Sequence, residues 1–111
     1  MAKHVVVVLS EPVEGREAEF DEWYENTHIR EVLATTGWTS GQRFELTAEK
    51  GAKCPLKYLA FYEAEAVRGA AVVATLAAPR APRQKRDSFD GTGAALWVFS
   101  ETGPKHDRGA G

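Results

Sequence analysis

Phe20-Asp21-Glu22-Trp23-Tyr24-Glu25-Asn26-Thr27-His28-Ile29-Arg30-Glu31-Val32-Leu33 is the stretch on which the reading of this chain turns. At about 100° per residue on a helix, Phe20, Trp23, Tyr24 and Thr27 share one arc, whereas Ile29, Val32 and Leu33 fall on roughly the opposite arc. A straight helix would then be apolar on two sides. The conflict predicts a break or change of direction near His28, which would sit where one helix stops and a short second segment begins. Upstream, Glu17, Glu19, Asp21 and Glu22 suit the N-terminal end of a helix that starts at about Arg16. Downstream, Thr35-Thr36-Gly37 reads as a turn.

Outward from this segment the chain alternates between strand and helix patterns. Residues 4–9, His-Val-Val-Val-Val-Leu, are β-branched and apolar on both faces, which predicts a central strand. Trp38 to Leu46 is the second strand and Leu56 to Glu63 the third, with Tyr58, Ala60 and Tyr62 on one face and Leu59 and Phe61 on the other. Glu65 to Ala78 reads as an Ala- and Val-rich helix that stops at Pro79. A charged connection follows, with a short helix near Arg83 to Phe89. Ala94 to Ser100, apolar on both faces, reads as an internal fourth strand. The order β-α-β-β-α-β is the ferredoxin-like arrangement of an α+β protein, a four-stranded antiparallel sheet with both helices on one face. Tyr58, Tyr62, Trp97 and Phe99 cannot all be solvated cheaply on the other face, so two sheets are expected to face each other in a barrel-like dimer that holds a cavity. Residues 1–100 are read as one domain and residues 101–111 as a flexible tail.

The 111 residues carry a formal net charge of −2, which argues against a field that recruits nucleic acid or an anionic membrane. The basic cluster Arg80, Arg83, Lys85 and Arg86 is followed at once by Asp87 and Asp90. One cysteine, Cys54, cannot close an intrachain disulfide and suits a reducing compartment. One Cys and three scattered His do not build a zinc site without carboxylate help. The apolar run at the start is too short for a membrane span or signal peptide, so the expected location is the cytoplasm. Nucleotide-binding, Walker and nucleophile-elbow motifs are missing from the sequence.

Chemistry is expected at Phe20-x-x-Trp23-Tyr24-x-x-x-His28. Tyr24 and His28 are four residues apart and share a helix face if the helix persists. A histidine there titrates within reach of neutral pH and can act as general acid or base. Tyr24, Tyr58 or Tyr62 would orient it or donate to an enolate or phenolate oxygen. The competing reading makes His28 a helix C-cap bonded to a backbone carbonyl. His4 shares a strand face with Val6, Val8 and Ser10 and could pair with His28 across a cavity, or stand at a strand end in solvent. Arg43 could clamp an anionic oxygen, against the alternative that it pairs with Glu45 or Glu63. Trp23 and Trp97 are further candidate substrate contacts, and His106 and Cys54 carry no role.

The segment from Glu11 to Leu46, with Trp23-Tyr24, His28-Ile29, Glu31 and Gly37, resembles the EthD-like branch of the dimeric α/β-barrel superfamily. Arg30 stands where that pattern often has Pro, and Thr36 where Pro often precedes the Gly. The resemblance implies a homodimer whose pocket has this His at its wall and needs no metal or organic cofactor. His4 is similar to the first-strand His that some cyclases of the superfamily place in the pocket. The implied function is a cyclase, dehydratase, decarboxylase or isomerase acting on a small aromatic or polyketide-like molecule. A cofactor-free monooxygenase of the antibiotic-biosynthesis type and a non-catalytic small-molecule-binding accessory protein are the alternatives.

Overall fold

A computed structural model describes residues 1–77 and 94–109. Strand β1 (Ala2–Ser10) leads into α1 (Glu17–Trp23), a π-helical segment (Tyr24–His28) and α2 (Ile29–Thr36). Strands β2 (Ser40–Glu45) and β3 (Tyr58–Ala66), helix α3 (Gly69–Ala77) and β4 (Ala95–Ser100) complete the order. The four strands form one antiparallel sheet in the order β2-β3-β1-β4, which is the ferredoxin-like arrangement. The stop at Pro79, the cluster Arg80 to Arg86 and the short helix near Arg83 to Phe89 fall outside the described residues.

The registers assign every side chain to a face. His4, Val6, Val8 and Ser10 of β1 stand level with Ala64, Tyr62, Ala60 and Tyr58 of β3. Ser100, Val98 and Leu96 join them from β4, and Gly41, Arg43 and Glu45 from β2. This face carries the helices and most of the buried residues, among them Val6, Phe20, Tyr24, Tyr58, Tyr62 and Val72. Each aromatic ring so removed from water contributes about 1.5–3 kcal/mol. The opposite face presents Val5, Val7, Leu59, Phe61, Phe44, Trp97 and Phe99. Tyr58 and Tyr62 thus part company with Trp97 and Phe99, with which the sequence reading had grouped them: they lie under the helices, and strand alternation leaves the latter pair on the uncovered face.

Two further expectations are corrected. Strand β4 lies at a sheet edge and is not internal, because its second apolar stripe, Trp97 and Phe99, belongs to the uncovered face. The α3 helix begins at Gly69 and not at Glu65, because Ala64 and Ala66 continue the ladder opposite His4 and Ala2. The tail leaves β4 with some pairing retained, since the Glu101 N–H donates to the Lys3 carbonyl at 3.1 Å and the Lys3 N–H to Glu101 Oε1 at 3.2 Å.

The helix does not break at His28. Backbone angles at Trp23, Tyr24, His28 and Ile29 are all right-handed helical, and the rod continues to Gly37. Gly37 (φ 75°) adopts the left-handed conformation that ends α2, and its N–H bonds the Leu33 carbonyl at 2.9 Å. The two-sided apolar pattern is resolved by the wider π turn, which adds one residue and rotates all that follows. Phe20, Tyr24, Ile29, Val32 and Thr36 consequently face the sheet together. His28 lies inside a continuous helix, so neither the C-cap role nor a helix C-terminal dipole applies to it.

Candidate functional site

The π turn assembles an aromatic cluster. On an α-helix, residues five apart stand about 140° from one another, whereas the π spacing superposes them. Trp23 and His28 are five apart and stack, with centroids at 4.5 Å and planes at 26°. His28 also meets Tyr24 edge-on at 4.8 Å and 88°. Phe20 extends the cluster to Tyr24 and Tyr58 at 5.4 and 5.5 Å. Trp23 and Tyr24 are buried, and His28 is half-buried with its Nδ1 edge inside.

Arg43 reaches this cluster from β2. Its guanidinium lies over Phe20, Tyr24 and Tyr58, with its carbon 5.1–5.7 Å from the three ring centres. Its Nη2 donates to Asp21 Oδ1 at 2.7 Å, and Nη1 lies 3.8 Å from Glu25 Oε1. The partners expected from the strands, Glu45 and Glu63, are thus replaced by two carboxylates of the helix. Arg43 points at the covered face, where the helix runs, while Glu63 points at the other and pairs with Lys3 at 3.1 Å.

Burial pushes the Tyr24 hydroxyl above its ordinary pKa, while a hydrogen bond with Tyr62 and the charge of Arg43 pull the other way. Burial and the nearby Asp21 carboxylate likewise raise Tyr58, against the opposing charge of Lys57. Tyr62 can lie under Ile29 only because residue 41 is glycine. A Cβ on Gly41 would fall 2.8 Å from Tyr62 Cδ1 and 3.3 Å from Ile29 Cγ2.

His4 is buried on the covered face with both ring nitrogens engaged, so the reading of a strand-end histidine in solvent is corrected. Nε2 donates to the Ala66 carbonyl at 3.1 Å, because a carbonyl can only accept, so in the neutral ring Nδ1 accepts from the Ser100 hydroxyl at 2.8 Å. These bonds tie β1 to the ends of β3 and β4. Trp97, on the uncovered face, does not join the cluster. The structure therefore brings together Trp23, Tyr24, His28, Arg43, Tyr58 and Tyr62 of the sequence candidates.

An open groove of about 210 Å³ is lined by Asp21, Glu25, Arg43, Phe44, Glu45 and Tyr58. Among the described residues no group of three or more His, Cys, Asp or Glu is placed to hold a metal ion, and no helix is long and apolar enough to cross a membrane. Sequence reasoning missed Asp21, Glu25 and Gly41. The first two are detectable once Tyr24 is placed inward, because they flank it on the same helix; a glycine in a strand is a weak sign of close approach. No family model, curated protein or solved structure matches this chain.

Proposed function

We propose that the protein is a cofactor-independent enzyme in which His28 serves as general acid or base on a small aromatic or polyketide-like molecule, in a cyclisation, dehydration, decarboxylation or isomerisation. The observation that carries the reading is the π turn that stacks His28 on Trp23 and against Tyr24. Such turns collect at functional sites, since a wider turn costs helix hydrogen-bond quality. Trp23 and Tyr24 hold the imidazole plane, and the positive charge of Arg43 beside Tyr24 favours negative charge that develops on an oxygen there. In the same reading the protein acts as a homodimer, a dimeric α/β barrel whose two uncovered sheet faces meet.

The test is a panel of aryl β-ketones and phenols, with products followed by mass spectrometry and oxygen uptake recorded in parallel. His28→Gln is expected to lower turnover by about 10²–10⁴-fold with the circular-dichroism spectrum unchanged. Full turnover in His28→Gln sinks the assignment. Product formation that consumes oxygen moves the reading to a monooxygenase, and tight binding with no turnover moves it to an accessory protein.

A further inference from the structure

The groove at the junction of α1, the π segment and β2 has a floor richer in donors than its own residues use. Tyr58 is 7% exposed, yet among the described residues its hydroxyl meets no hydrogen-bond partner, and it lines the groove. Beside it, a guanidinium has five N–H groups. Arg43 makes one short bond, to Asp21 Oδ1 at 2.7 Å, and a long one of 3.5 Å to the Asp21 carbonyl. The walls have the opposite character. Asp21, Glu25 and Glu45 are carboxylates.

We infer that this groove binds the oxygen of a small neutral carbonyl compound, with Tyr58 and Arg43 donating to the oxygen. The charges decide the head group. A carboxylate would meet the same donors but face Glu25 and Glu45, while Asp21 already offsets Arg43. An ammonium would suit the walls but brings only N–H donors to a floor whose guanidinium has none but donors to offer. An uncharged acceptor escapes the carboxylate repulsion and takes the hydrogen bonds of the floor. Tyr58 stays protonated, and so able to donate, because burial and Asp21 both oppose its ionisation. The inference concerns binding alone and stands apart from the role of His28.

The test holds the ring constant and varies the head group, with acetophenone, benzoate and benzylamine titrated into the full chain while the Arg43 Nε–H resonance is followed by NMR. Acetophenone is expected to move that resonance and to bind several-fold more tightly than either charged analogue. Tyr58→Phe is expected to weaken acetophenone by roughly 3–10-fold through the lost hydrogen bond. Glu45→Gln, an exposed change that leaves the core untouched, is expected to narrow the gap between benzoate and acetophenone. Binding of His28→Gln like the parent separates this site from the proton-transfer reading. Equal or tighter binding of benzoate or benzylamine, or an Arg43 resonance that acetophenone leaves unmoved, overturns the proposal.

Discussion

At the scale of single residues, the arrangement turns on polar groups placed where burial is costly. Tyr24 is 3% exposed and Tyr62 is 1% exposed, so their hydroxyls have little water to fall back on. Gly41 supplies the space for the Tyr62 ring, and Arg43 supplies charge beside Tyr24. The raised pKa of Tyr24 has a consequence for stability. An unfolded Tyr24 begins to ionise near its ordinary value of 10.0, while the folded one still holds its proton. Above that pH the native state binds more protons than the unfolded state, so stability falls as pH rises. Urea midpoints at pH 8, 10 and 11 are expected to decline through that window, and Tyr24→Phe to decline less. An equal decline in both proteins assigns the effect to other groups.

At the scale of the element, the helix from Glu17 to Thr36 shows how much the sequence discloses. The conflict between its two apolar arcs is visible in the residue list, and it locates the irregularity correctly at His28. Its form is not visible, because a break and a π turn both change the phase. The spacing that separates them is Phe20 to Tyr24, Tyr24 to Ile29, Ile29 to Val32 and Val32 to Thr36: four, five, three and four residues. Every step but the five-residue one belongs to an ordinary helix stripe. Removing one exposed residue from the π segment makes the whole series regular. Deletion of Asn26 is therefore expected to fold with its melting temperature unchanged or raised, with Phe20, Tyr24, Ile29 and Val32 still inward. His28 would then stand four residues from Trp23 and three from Tyr24, the ordinary same-face spacings of an α-helix, so the aromatic cluster keeps its neighbours. The measurement is the thermal midpoint followed by circular dichroism. A deletion that fails to fold, or that melts well below the parent, contradicts the phase account.

At the scale of the whole molecule, the sheet has one face covered by helices and one left open, and the open face is where the proposed dimer would form. The strand order and helix placement follow from alternating apolar patterns, which is why the ferredoxin-like arrangement was legible. The position of β4 was not, because an edge strand with an uncovered apolar face has the same composition as a buried central one. Phe44, Trp97 and Phe99 on this face are 48%, 42% and 57% exposed, and Val5, Val7, Leu59 and Phe61 lie between them. Contiguous apolar area of that kind marks a contact surface, and a second copy offers a face of matching character. A standard interface buries about 1,200–2,000 Å² in total, which two four-stranded faces can reach. Sedimentation equilibrium is therefore expected to give a dimer at micromolar concentration. Trp97→Glu places a charge that must be desolvated within such an interface, on the face away from the helix-side core. It is expected to yield a folded monomer with the parent circular-dichroism spectrum. A monomeric parent refutes the face-to-face pairing outright, while a Trp97→Glu protein that stays dimeric shows that the copies meet through another surface.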